Sequence, residues 1–216
     1  DRLGPTGVLA ELSDDVELID VGKRPQHHPV PQDEINALIV DRAARGLRVV
    51  RLKGGDPFVY GRGGEEVIAC RAAGIPVEVV PGISSAIAVP SAAGVPVTHR
   101  GVAGTLHVVN GQETPSEATL AALRDDTATV VALMGVSALP RFVAAARAAG
   151  APDTRPVAFV ENGHTPAQRT IRTTLGTAIQ DAETHRLANP AVLVFGEVAR
   201  ADLLMPVPAL PGEGVG

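Results

Sequence analysis

Apolar and polar positions follow two rhythms along this chain, and the switches between them predict its elements. Runs with strand character stand at residues 16–21 (VELIDV), 48–53 (RVVRLK) and 77–80 (VEVV). Between the first two, residues 31–45 place Ile35, Leu38, Ile39 and Ala43 on one helical face, and Gly46 supplies the stop. A second helix is predicted over 65–73, ending at Gly74. A third, built of small residues, covers 84–93 after the turn at Pro81-Gly82. Strand–helix–strand alternation of this kind predicts a parallel sheet with helices on its faces.

The pattern breaks at residues 94–104 (GVPVTHRGVAG), which predicts a domain boundary there. Beyond it, strands are predicted at 105–110, 129–134, 156–160, 170–175 and 191–195, and helices at 116–124, 138–149 and 177–185. The organisation expected is an N-terminal α/β domain over 1–98, a C-terminal α/β domain over 99–206, and a flexible Pro- and Gly-rich tail over 207–216. No internal repeat is evident.

Composition narrows the functions open to such a chain. It has 216 residues, 45% of them hydrophobic and 20% charged, as in ordinary globular proteins. With four Phe, one Tyr and no Trp, the core must be built of Val, Leu, Ile and Ala, and stacking on nucleic-acid bases is largely out of reach. A net charge of −5 also argues against nucleic acid as a partner. Cys70 is the only cysteine, so neither an internal disulfide nor a multi-cysteine metal site is expected, and no metal is predicted at all. No apolar run approaches the ~20 residues of a membrane helix. No signal-peptide pattern opens the chain, so the expected compartment is the cytoplasm.

The densest chemical signal is LKGGDPFVYGRGGEE at 52–66, with five glycines just after a predicted strand. So many glycines imply close backbone approach or left-handed conformations. In open α/β sheets, ligands sit at the carboxyl ends of strands, where this loop falls. It matches neither the dinucleotide fingerprint nor the P-loop. A second strand end, VVPGISSA at 79–86, offers Ser84 and Ser85 at a helix start, as caps or as ligand donors. A third, VGKRPQHHPVPQDE at 21–34, groups Lys23, Arg24, His27 and His28. With Arg2, Arg51, Lys53, Arg62 and Arg100, cations gather at loop ends of an acidic chain, which points to a polyanionic ligand.

These motifs resemble a known family. DRL at 1–3, VGKR at 21–24, PQDEIN at 31–36, RLKGGDPFVYGRGGEE at 51–66, VPGISSA at 80–86, GVPVTHRG at 94–101, MG at 134–135 and VENGHTPAQR at 160–169 are similar, in order, to the uroporphyrinogen-III C-methyltransferases of the tetrapyrrole methylase family. The resemblance implies a two-domain tetrapyrrole methylase fold, with a mainly parallel sheet in the N-terminal domain and a mixed sheet in the C-terminal one. It implies S-adenosyl-L-methionine as cofactor, with S-adenosyl-L-homocysteine as product. It further implies a homodimer, and a polyanionic tetrapyrrole substrate methylated twice to give precorrin-2 in sirohaem and cobalamin biosynthesis. The cofactor contacts it implies are Gly54, Gly55, Asp56, Val59, Ser84, Ser85, Met134, Gly163 and Ala191. Asp1, Lys23 and Arg62 fall at catalytic positions. Arg2, Arg24, His28, Glu65 and Arg100 fall at substrate-facing ones. Family members begin with a strand and a G-x-G-P-G-D loop ahead of the segment matching Asp1. Neither precedes it in this sequence, and the expectation is that further residues do.

The chemistry implied is compatible with these side chains. A sulfonium methyl is electrophilic already, so alignment with a nucleophilic ring carbon is the main requirement. A base must then take a proton from the ring. Asp1, Lys23 and Arg62 are the candidates, although arginine's pKa above ~12 suits it better to binding carboxylates. Two other readings are a methylase acting on a later corrin intermediate and a non-catalytic tetrapyrrole-binding remnant.

Overall fold

The structure is a computed structural model, and it describes residues 6–22 and 30–204. The chain divides into two compact units, Asp1–Ser84 and Ser85–Gly216.

In the first unit lie the short helix α1 (Thr6–Leu9), α2 (Gln32–Ala44) and α3 (Gly63–Ala72). Asp33 and Glu34 in the first turn of α2 and Arg42 in its last complement the helix dipole. Helix α2 packs against α3, burying Ile35 on one side and Glu66 and Cys70 on the other. The predicted stop at Gly74 operates through its left-handed backbone, φ 71°. Its amide bonds Arg71 O and the Ile75 amide bonds Cys70 O, which closes the last turn of α3.

The strands expected at 16–21, 48–53 and 77–80 do not form a ladder. Among the described residues this unit has no paired strand, and Val50 and Val80 stand 75% and 71% exposed. Apolar β-branched residues specify an extended backbone, but a strand is completed only by the N–H and C=O groups of a neighbour. The expected parallel sheet is therefore absent from this unit's described residues.

The second unit holds the whole sheet. Its elements in order are α4 (Ser85–Ala92), β1 (Thr105–Asn110), α5 (Glu117–Arg124), β2 (Ala128–Leu133), α6 (Leu139–Ala148), β3 (Pro156–Glu161), β4 (Arg169–Thr174), α7 (Ala178–Thr184), β5 (Ala191–Phe195) and a 3₁₀ turn (Glu197–Ala199). The strand order is β1-β2-β5-β3-β4. Only β1 and β2 run parallel, and the other pairs are antiparallel. This is the mixed sheet expected for the C-terminal half.

Strand β2 is buried along its whole length because both sheet faces are covered. Val130, Ala132, Phe159, Leu193 and Phe195 form one core with Leu123 of α5, Phe142 of α6 and Ala178 of α7. The rings of Phe142 and Phe195 stack with centroids 5.1 Å apart. Val131, Leu133, Ala158, Val192 and Val194 form the opposite core with Ala86 of α4, Val95 and Val198. Each such side chain contributes about 1.5–3 kcal/mol on full burial. Because α4 lies over this second face, the division between units falls before it. The loop at 94–104, where the sequence suggests a boundary, belongs with the second unit. No helix among the described residues is long and apolar enough to cross a membrane.

Candidate functional site

In the first unit the two glycine loops form one block, and Asp56 ties them together. Its Oδ1 accepts the Phe58 amide at 2.8 Å, and its Oδ2 accepts the Gly82 amide at 3.2 Å. The approach is so close that a Cβ on Gly82 would stand 2.3 Å from Gly55 O. Here the glycine answers a steric demand of backbone on backbone. Within the same loop the Gly63 amide bonds Pro57 O at 2.9 Å. Tyr60 and Arg62 are left-handed, with φ 53° and 59°.

Arg62 and Glu65 make a bidentate pair across the start of α3, Nε–Oε1 at 2.8 Å and Nη2–Oε2 at 2.7 Å. The hydrogen bonds from Arg62 hold the Glu65 carboxyl below its ordinary range and raise the guanidinium above its own. Two of the Arg62 nitrogens are engaged by Glu65, and its side chain is 56% exposed.

The stem of the loop differs from the cationic surface suggested by sequence. Lys53, only 8% exposed, lies 3.0 and 3.1 Å from the two oxygens of Glu66, and Arg51 Nε donates to the same carboxylate at 3.0 Å. Gln32 of α2 donates to it as well, at 3.3 Å. Two of the cations grouped as ligand-facing therefore bind a buried carboxylate. The missed residue is Glu66; its signal was the doubled Glu of GGEE, which puts one carboxylate outward and its neighbour inward.

In the second unit, register gathers three of the candidate residues at one end of the sheet. Asn110 pairs with Leu133, Leu133 with Val192, and Glu161 with Ala191. The carboxyl ends of β1, β2 and β3 and the start of β5 thus share an edge, with Met134, Gly163 and Ala191 along it. Met134 leaves buried β2 in a left-handed conformation, φ 60°, and is 40% exposed. Beside it a Cβ on Gly111 would stand 2.5 Å from Gly135 Cα, so the ends of β1 and β2 meet backbone to backbone.

The turn after β3 is pressed onto α4. A Cβ on Gly163 would meet Val89 at 2.6 Å. His164 Nε2 donates to Ala88 O at 2.9 Å, and Gln168 Nε2 to Ala92 O at 3.1 Å. These bonds explain the run NGHTPAQ and fix the helix that opens with Ser85. Ser84 and Ser85 are half-buried, Ala191 is buried, and Gly54, Asp56 and Val59 lie in the loop of the first unit. Arg100 is exposed in a turn closed by reciprocal His99 and Ala103 backbone bonds. Asp1, Arg2, Lys23, Arg24, His27 and His28 lie outside the described residues. A surface hollow of about 470 Å³, lined by Ile19, Val21, Val30 and Leu38 among others, includes none of the glycine-loop residues.

Set beside known proteins, this arrangement has close parallels. Residues 2–179 match the family described as Tetrapyrrole (Corrin/Porphyrin) Methylases. The chain belongs to the tetrapyrrole methylase family. A uroporphyrinogen-III C-methyltransferase of Methanocaldococcus jannaschii is 46% identical over 189 residues, covering 85% of this chain and 77% of that protein. A siroheme synthase of Xylella fastidiosa is 44% identical over 200 residues, covering 92% of this chain and 42% of that protein. The chain therefore spans less than half the length of that synthase. Among solved structures, a Thermus thermophilus uroporphyrin-III C-methyl transferase complexed with S-adenyl homocysteine is 39% identical. Its TM-score is 0.65, and the likeness covers 78% of this chain and 74% of that one.

Proposed function

We propose that this tetrapyrrole methylase chain transfers methyl groups from S-adenosylmethionine to carbon atoms of uroporphyrinogen III, twice, giving precorrin-2 for sirohaem and cobalamin synthesis. The observation that carries the reading is the 46% identity with a uroporphyrinogen-III C-methyltransferase over most of both chains. The solved relative with bound S-adenyl homocysteine supports the choice of methyl donor.

The residues suit that cofactor. Gly55 is left-handed, a Cβ on Gly82 or Gly111 would stand within 2.5 Å of facing backbone, and Gly111 and Gly135 follow the ends of β1 and β2. Gly54, Gly55 and Val59 would offer main-chain contacts, with Asp56 holding the loop in shape. Ser84 and Ser85 would add hydroxyls and amides, and Met134, Gly163 and Ala191 would serve from the second unit. When bound, S-adenosylmethionine supplies an already electrophilic methyl group. What the protein adds is alignment and exclusion of water.

For the tetrapyrrole, Arg62 and Arg100 would bind its carboxylates, with Glu65 fixing the direction of Arg62. Arg2, Arg24 and His28 would complete that set. Asp1 and Lys23 are the proposed proton-transferring groups. Charge-assisted hydrogen bonds of this kind contribute roughly 1.5–3 kcal/mol each. The net charge of −5 and the lone buried cysteine accord with work in the cytoplasm, and a homodimer is the proposed assembly. Incubation with uroporphyrinogen III and S-adenosylmethionine should yield a dimethylated product by mass spectrometry, and calorimetry should register S-adenosylhomocysteine binding. Absence of both would overturn the reading.

A further inference from the structure

Aromatic side chains are scarce here, and their distribution is uneven. Phe142, Phe159 and Phe195 are at most 3% exposed, all within the core of the second unit. The remaining two, Phe58 and Tyr60, stand in one loop three residues long from ring to ring. They are 60% and 46% exposed, with Val59 between them 37% exposed. Of five aromatic side chains, three are in the core and two are placed against water.

The backbone that presents them is held at a cost. Tyr60 and Arg62 are left-handed without being glycine, a backbone conformation that side chains disfavour. Asp56 fixes the approach to Phe58 by accepting its amide, and the Gly63 amide closes the loop on Pro57 O. Arg62, oriented by Glu65, stands at the exit of the same loop. Exposed rings, a strained but pinned backbone and an oriented cation together describe a surface prepared for a ligand with an aromatic interior and an anionic rim.

We infer that Phe58 and Tyr60 form a platform against which pyrrole rings of the tetrapyrrole lie, with Arg62 receiving a carboxylate at the margin. The assignment rests on the reading of uroporphyrinogen III as substrate. Pyrrole faces are electron-rich, and the edges of Phe and Tyr rings are electropositive. Offset or edge-to-face contact therefore adds to the gain from removing apolar surface from water. The cofactor contacts proposed in this loop are main-chain ones at Gly54, Gly55 and Val59, so removing the Phe58 and Tyr60 rings alone should affect the two ligands differently.

The test uses Phe58→Leu and Tyr60→Leu, singly and together, in the full chain; Leu keeps apolar bulk at exposed positions and removes the ring. The double variant should raise KM for uroporphyrinogen III about tenfold, a loss of roughly 1.4 kcal/mol. Its calorimetric affinity for S-adenosylhomocysteine should stay within about twofold, and Phe58→Tyr should retain the parent KM. Tyr60 is the only tyrosine in a chain without tryptophan, so intrinsic emission reports on it alone. Uroporphyrinogen III, kept reduced, should shield that emission from iodide quenching, and S-adenosylhomocysteine alone should not. A parent protein that binds S-adenosylhomocysteine yet never methylates uroporphyrinogen III would overturn the substrate reading itself. A parent that methylates it, with variants of unchanged KM and unshielded Tyr60, would overturn the platform and leave that reading intact. Equal loss of cofactor affinity, or a changed sedimentation coefficient, would also overturn it by assigning the rings to the cofactor or to a second copy.

Discussion

Glu66 does more for the first unit than its place beside Glu65 suggests. One carboxylate, 8% exposed, accepts from Lys53, Arg51 and Gln32, joining α2, the segment before the loop and α3. Breaking a buried pair by removing one member leaves the other charge without compensation, at about 3–5 kcal/mol. Glu66→Ala should therefore destabilise the first unit by about 3 kcal/mol in urea unfolding followed by a probe in that unit. Replacing Lys53 as well, Lys53→Met with Glu66→Leu, should recover only part of the loss, because Arg51 still loses its carboxylate. Glu65→Ala, which removes only an exposed partner of Arg62, should leave the urea midpoint nearly unchanged.

At the scale of elements, the contact between the two glycine loops is the most sensitive feature. Gly82→Ala would force its methyl into Gly55 O, and the loops can relieve this only by separating. The expected result is a loss of S-adenosylhomocysteine affinity of at least tenfold by calorimetry, with the thermal unfolding of the second unit unchanged. The need for glycine at 54–64 was legible, because so many glycines in one loop make sense only where backbones approach closely. Its partner was not, since nothing in VVPGISSA says that its Gly82 meets Gly55. In the second unit the predicted strands and helices agree with those observed to within a residue or two. There β-branched runs are bounded by stop residues such as Gly150, and each run finds a neighbour. In the first unit the same kind of run, RVVRLK, forms no ladder among the described residues, since pairing depends on chain outside the run. The inward turn of Lys53 was hidden for a related reason. A lysine's place is set by the carboxylate it meets, and Glu66 lies on another element.

For the molecule as a whole, the contrast between a unit with a five-stranded sheet and one whose described residues include no paired strand bears on how it opens. Amides in the centre of β2, β5 and β3 are bonded on both sides and buried, so deuterium should reach them only when the second unit unfolds globally. Amides of residues 47–53 and 75–81 have no such ladder, and Val50 and Val80 among them are exposed residues. Exchange monitored by mass spectrometry should therefore be biphasic along the sequence, with these segments labelled orders of magnitude sooner than the sheet. Saturating S-adenosylhomocysteine should slow exchange most where the loops at 54–56 and 80–84 meet. The first unit would then be the half whose order a ligand can raise, because its backbone still has donors and acceptors to give.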